Sequence, residues 1–392
     1  MQKTLIRITT VPMAFKVLLA GQPKFMSENG FNVIMISADG TEVEDLKIEE
    51  GCKHIIVPMT RRITPFRDVV SLFRIIRIIK KYRPDIVHTH TPKAGLLGML
   101  AAWSTGVKIR IHTVGGLPLI IEKGIKRKLL MLTEKLTYFG ATEVWPNSKS
   151  MMKFIINEKL TKPEKLEVID NGSTNGIDLK KFSKQNLDEE IINKIKRSLP
   201  KLKGLKILCV GRMVKDKGIE ELVKVFKKLQ KLYKLQLLLV GPFEPHLDPL
   251  SSQTLDEIIN NPAITHISWS DSIEYYMGIA DIFVHPSHRE GFPNVILQAG
   301  AMHLPVICSN IPGNADIIQD DKTGLMFEVK NEDDLYKKLM FAIQNKEKTE
   351  KIAQALFEEV TQLYNRKKIH EVILDTYNRL LKSMELNKNA CS

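Results

Sequence analysis

Four cysteines in 392 residues are too few and too scattered to staple a fold. Cys52, Cys209, Cys308 and Cys391 stand alone, with no CxxC or His–Cys spacing. That pattern argues against a zinc site and fits a reducing cytoplasm. No apolar run reaches the roughly 18 residues that a membrane-spanning helix needs. The opening MQKTLIRITTVPMAFKVLLAGQ has basic residues before apolar ones, the order of a signal peptide, but Lys16 interrupts the apolar stretch. Repeats and low-complexity tracts are missing, and so are the phosphate-loop patterns GxxxxGK[ST] and GxGxxG. RNP, helix-turn-helix and zinc-finger signatures are missing too, so nucleic acid is not an expected partner.

What is present is ordinary globular composition, 43% hydrophobic and 26% charged, over a length that predicts two domains. The net charge of +13 is unevenly placed. Residues 1–182 carry 29 Lys and Arg against 17 Asp and Glu, whereas residues 183–392 carry 29 against 28. A basic half beside a nearly neutral one points to an anionic partner for the first domain: nucleic acid, lipid headgroups or a phosphorylated acceptor. For any single lysine, solubility is the plainer explanation.

Short β-rich runs alternate with longer helical patterns, the sequence form of parallel sheets with crossover helices. The first half offers TLIRITT, NVIMISA, HIIVPM, DIVHTH, IRIHTV and EVWPNS as strands. The second offers LKILCVG, LQLLLVG, THISW, DIFVHPS and PVICS. Residues from about 171 to 205 lack strand signals and read as the connection. The expected fold is α/β, with two doubly wound domains, 1–182 and 183–365, and a final helix at about 366–392 completing the first. Two such domains facing each other would form a cleft, and ligands in open α/β sheets sit at the carboxyl ends of strands.

Three stretches carry polar residues at such ends. In VGRMVKDKGIEEL, Arg212 and Lys217 precede a helix and together suit a diphosphate. In HREGFPNVILQAGAM, Gly291 permits a sharp turn and Pro293 suits the first helical position. Glu290 there is free to accept from sugar hydroxyls, and the amides near Asn294 and Val295 to meet a phosphate. Gln298 lies four residues after Asn294 on the same helix face and is the one strongly polar side chain in VILQAGAM. In DIVHTHTPKAG and IRIHTVGGLP, His88, His90, Lys93 and His112 gather near strand ends, although a structural role is the commoner one for any single histidine. No third ligand with a second shell marks a metal site.

Taken together, EGFPNVILQAGAMHLPVI, GRMVKDKG, DIVHTHTPKAGLLGMLAA, RIHTVGGLP and NGSTNGIDLKKF resemble the retaining nucleotide-sugar glycosyltransferases of family 4, which have the GT-B fold. The resemblance extends over nearly the whole chain. It is similar to bacterial enzymes of capsule and lipid-linked oligosaccharide synthesis, including N-acetylgalactosaminyltransferases acting on undecaprenyl-diphosphate-linked bacillosamine. It implies a UDP-sugar donor held by the second domain through Gly211, Arg212, Lys217, Glu290, Gly291, Phe292, Asn294, Val295 and Gln298. It also implies a polyprenyl-diphosphate-linked sugar acceptor on the first domain near Lys16, His90 and Lys93, at the inner face of an anionic membrane. Arg212 and Lys217 would neutralise the leaving diphosphate, His112 would lie beside the reacting sugar, and Glu290 would hold its hydroxyls. No metal or other cofactor is implied, and the oligomeric state is left open.

Two positions depart from the family pattern. TTVPMAFK stands where a Gly-Gly turn often follows the first strand, which shifts the expected phosphate contact to Thr10 or Lys16 or removes it. Gln298 replaces the second carboxylate of E-x7-E, normally a ribose ligand, at a cost of roughly 1–2 kcal/mol in charge assistance. Rival readings are a UDP-sugar 2-epimerase of the same architecture and a binding protein without turnover. Gln298→Glu is expected to lower the KM for UDP-sugar; an unchanged KM would show that this residue does not touch the ribose.

Overall fold

Apolar residues that fill both faces of a strand demand helices on both sides, and each half of the chain meets this demand with its own parallel sheet. The computed structural model describes residues 2–390 other than 63, 121, 201, 245 and 247. Cys391, and Ile121 within the basic stretch Ile120–Leu136, lie outside the described residues.

The first sheet contains β1 (Lys3–Ile8), β2 (Phe31–Ser37), β3 (Lys53–Ile56), β4 (Ile86–Thr89), β5 (Ile109–Val114) and β6 (Glu143–Pro146), in the order β3-β2-β1-β4-β5-β6. The second contains β7 (Leu205–Val210), β8 (Leu235–Val240), β9 (Ile264–Ile267), β10 (Ile282–His285), β11 (Val306–Ser309) and β12 (Leu325–Phe327), in the order β12-β11-β10-β7-β8-β9. All pairings between these strands are parallel. Strand order reverses between β1 and β4 and between β7 and β10, the places where such sheets open a crevice for ligands. Eleven strands coincide with the apolar runs quoted above. β12 was not among them, because three residues are too short for a period to register.

Helix Ile219–Leu229 shows how the covering layers form. Ile219, Leu222, Val223, Val225, Phe226 and Leu229 are buried. This 3–4 spacing places an apolar stripe on the sheet and leaves Lys224, Lys227 and Lys228 outside.

The chain divides into residues 1–175 with 367–392, and residues 176–366. The boundary therefore falls seven residues before the expected one, and the lysine-rich helix Glu189–Ser198 is not a linker. Ile192 and Ile195 of that helix pack on the core of the second unit, and Leu187 meets Gly278. The two chain passages bridge side by side, Ile177 N donating to Tyr364 O at 2.8 Å and Arg366 N to Ile177 O at 3.0 Å. Beyond this point, helix Arg366–Ala390 sends Ile369, Ile373, Tyr377 and Leu381 into the core of the first unit beside Leu5, Phe31 and Trp145.

One buried carboxyl sits outside any site. Burial pushes Glu134, on helix Gly124–Gly140, up to about 7, against a smaller pull from the Tyr138 hydroxyl. A carboxyl raised in the folded state costs nothing below its ordinary pKa, and the cost grows from there until it is complete above pH 7. Glu134→Gln is therefore expected to stabilise the protein at pH 8 by up to about 3 kcal/mol and to change little at pH 4, as read by denaturant melts at the two pH values.

Candidate active site

β7 and β10 are neighbours, and the loops that leave their carboxyl ends build one polar cluster. After Val210 the chain runs through Gly211 and Arg212 into a 3-10 turn at Lys215–Lys217. Gly218 follows at φ +68°, and a Cβ there would lie 2.1 Å from Pro286 O. Only glycine allows this approach, and it seats the turn against the segment that follows β10.

That segment is His285-Pro286-Ser287-His288-Arg289-Glu290-Gly291. Lys217 Nζ lies 2.5 Å from Glu290 Oε1, and His285 Nε2 lies 3.1 Å from the same oxygen. Burial alone would raise the Glu290 pKa, but His285 and the Lys217 ammonium hold it well below the usual carboxylate range. Three further contacts lock the same two loops. Arg289 Nη2 pairs with Asp216 Oδ2 at 2.7 Å, His288 N donates to Asp216 O at 2.8 Å, and His288 Nε2 meets Glu221 Oε1 at 2.8 Å. Arg289, which the sequence leaves without a role, is thus a brace. From the other side, helix Pro312–Ala315 abuts the elbow so closely that a Cβ on Gly313 would stand 2.6 Å from Glu290 O.

Helix Asn294–Ala301 begins here with Pro293 as its N-cap, so it starts one residue later than expected, and no side chain caps it. Its first-turn amides face the dipole's positive end. One turn on, the Gln298 Oε1 is buried without a hydrogen-bond partner. Arg212 is held by Glu244 of the loop after β8, Nη1 to Oε2 at 2.7 Å. That loop is fixed by Met213 N donating to Pro242 O at 2.8 Å.

Two expectations on this unit need correction. Phe292 is 8% exposed and packs its ring on Tyr364 at 5.7 Å, so its side chain belongs to the core. Gly291 is not among the positive-φ glycines, so the elbow turns without a left-handed residue there. Glu244, Asp216 and His285 were missed as members of this cluster, although Glu244 and Asp216 follow strand ends and His285 closes β10, and that position was the available signal.

In the first unit the expected residues do not converge. His112 is 3% exposed, accepts or donates through Nδ1 to Thr89 Oγ1 at 2.8 Å, and lies under Gly95, where a Cβ would stand 2.4 Å from its ring. Burial pushes its pKa down to about 3. His112 is a neutral core side chain between sheet and helix, not a group at the strand end. His90 is 4% exposed and accepts at Nε2 from Arg7 Nε at 3.3 Å; it too is interior, not an acceptor contact. Lys16 Nζ lies 3.8 Å from Asp45. Thr10 is closed off by Thr91, Oγ1 to Oγ1 at 2.7 Å. Lys93 lines an apolar cavity but is tied to Asp68 at 2.7 Å. Among the described residues, no three His, Cys, Asp or Glu side chains form a group able to hold a metal ion.

Residues 190–358 match the family model of glycosyl transferases group 1, and residues 25–172 that of a glycosyl transferase 4-like domain. The chain is 36% identical to the capsular polysaccharide biosynthesis glycosyltransferase CapM of Staphylococcus aureus, over 94% of this chain and 95% of CapM. It is 29% identical, over 81% of each chain, to the UDP-Gal:alpha-D-GlcNAc-diphosphoundecaprenol alpha-1,3-galactosyltransferase of Escherichia coli. It is 26% identical to the N,N'-diacetylbacillosaminyl-diphospho-undecaprenol alpha-1,3-N-acetylgalactosaminyltransferase of Campylobacter jejuni, over 85% of this chain and 88% of that one. Among solved structures, Anabaena HepE in complex with UDP and glucose superposes with a TM-score of 0.80 at 14% identity, covering 96% of this chain and 100% of HepE.

Removing Lys217 would leave Glu290 with little to offset its burial. Lys217→Ala is expected to cost about 2–4 kcal/mol at pH 7, with Glu290→Gln in the same chain restoring part of it. A carboxylate with a depressed pKa stabilises above its ordinary range and loses that contribution as pH falls, so the deficit should shrink below about pH 4. Denaturant titrations of the parent and the two variants at pH 7 and pH 3 check both expectations.

Proposed function

Because the chain belongs to the family 4 glycosyltransferases and has their GT-B fold of two Rossmann-like domains, we propose that it transfers a sugar from a UDP-sugar, with retention, to a lipid-diphosphate-linked acceptor. The donor is a UDP-N-acetylhexosamine or UDP-hexose, and the pathway is capsule or lipid-linked glycan assembly. The observation that carries this reading is the Lys217–Glu290 pair, which ties the loop that also carries Arg212 to the elbow before an uncapped helix start.

Charge grows on the diphosphate as the glycosidic bond breaks. Arg212, Lys217 and the first amides of helix Asn294–Ala301 are fixed before the substrate arrives, so they favour the charged transition state over the ground state. Glu290 accepts from hydroxyls of the transferred sugar, and Gln298 offers its unpartnered Oε1 to the ribose. With His112 in the core, no side chain among the described residues is assigned the role of base. A donor phosphate oxygen takes the acceptor proton on the face from which the diphosphate departs, and no metal takes part.

The membrane reading has support in the first unit. Phe66 and Phe73 on helix Pro65–Tyr82 are 91% and 61% exposed, and Ile125 on helix Gly124–Gly140 is 87% exposed. Lysines and arginines surround them, the composition of a surface that lies on anionic lipid. Among the described residues, no helix is long and apolar enough to cross a membrane.

The test is a screen of UDP-, GDP- and TDP-sugars against lipid-diphosphate sugars, read by product mass and anomeric configuration. Arg212→Ala should lower kcat about a hundredfold, and EDTA should leave the rate unchanged. Transfer to water alone, or inversion, would refute the proposal. Flotation should show binding to anionic vesicles that weakens with salt; equal binding to neutral vesicles would remove the electrostatic part.

A further inference from the structure

The first unit holds an apolar cavity of about 550 Å³ between helices Pro12–Leu18, Pro92–Ser104 and Gly124–Gly140. Its walls include Val17, Leu18, Leu96, Leu97, Leu129 and Leu130. Its volume falls within the roughly 300–1,000 Å³ of small-molecule sites.

The polar part of the lining is specific in charge. Asp68 is the one carboxylate, and Lys93 Nζ neutralises it at 2.7 Å while also meeting Thr64 Oγ1 at 3.1 Å. Arg61 also lines the cavity and is exposed, with no ion pair among the described residues. Arg62 and Arg67 are exposed close by in the chain. The rim thus holds one uncompensated cation, Arg61, over an apolar interior. Val17 and Leu129, 56% and 44% exposed, continue the apolar wall to the surface.

We propose that this cavity takes the first isoprene units of a polyprenyl diphosphate, with Arg61 at its rim meeting the diphosphate. The assignment rests on the acceptor class proposed above and places that acceptor's lipid end. An uncharged acylglycerol would fill the walls but leave Arg61 without a partner, whereas free diphosphate would meet Arg61 and leave the walls empty. A prenyl diphosphate satisfies both.

The test uses the full chain and calorimetric titration with farnesyl diphosphate, inorganic diphosphate and dioctanoylglycerol. Farnesyl diphosphate should bind at least about tenfold more tightly than either control. Leu96→Trp, which fills the cavity, should bring farnesyl diphosphate down to the inorganic level while UDP affinity stays within about twofold. Val17→Asp, at an exposed position that needs no repacking, should weaken farnesyl diphosphate in the same way, and Arg61→Glu should weaken both diphosphates. The inference is overturned if both cavity variants bind farnesyl diphosphate like the parent, or if dioctanoylglycerol binds as tightly. Should sugar transfer to lipid diphosphates fail while these binding effects hold, the proposed function falls and the prenyl site stands. Transfer that proceeds with both cavity variants at an unchanged acceptor KM sinks the prenyl site alone.

Discussion

The contact between Lys217 and Glu290 joins loops from two different strands at the reversal point of the second sheet. Each side chain is mostly withdrawn from water, and each is tolerable there only because the other is present. Neither loop can drift without leaving a buried charge unpaired. The glycines around them follow from this. Gly218 lets the turn approach Pro286, and Gly313 lets a neighbouring helix approach the backbone of Glu290. Arg289 and His288 then add contacts that a looser junction could not make.

The first unit treats its equivalent strand ends differently. Arg7 is fully buried and is met by Gln22 Oε1 and His90 Nε2, not by a carboxylate. Burial and the Arg7 charge hold His88 and His90 well below the usual histidine range, so the ring nitrogens can accept. Tyr377 reaches His88 Nδ1 from the C-terminal helix at 2.5 Å. Strand ends rich in histidine are here the interior of a polar core sealed by the chain's last helix.

This contrast explains what could be read from the residues and what could not. Eleven strands were legible because parallel strands covered on both faces leave continuous apolar runs. β12 was too short, and helix Glu189–Ser198 was taken for a connection because none of its residues is fully buried. Arg212, Lys217 and Glu290 could be placed on the loops after β7 and β10, and Gln298 on the helix behind them, because position after a strand and residue type agreed. His112 and His90 were misplaced for a common reason: a side chain near a strand end faces either the crevice or the helix layer, and one residue of alternation decides which. Glu244 and Asp216 were hidden because an acid beside a base reads as a surface pair until the loops are folded together.

The Arg212–Glu244 pair bears on how any anion enters. Arg212 is half exposed and already neutralised, so a diphosphate arriving there does not meet a bare cation. It exchanges with a resident carboxylate, and the gain is the difference between two anions rather than the whole attraction of one. On the function proposed above the site would act as an ion exchanger: it would favour a ligand that brings two phosphates and further hydrogen bonds over single anions, which would offer Arg212 little that Glu244 does not already supply.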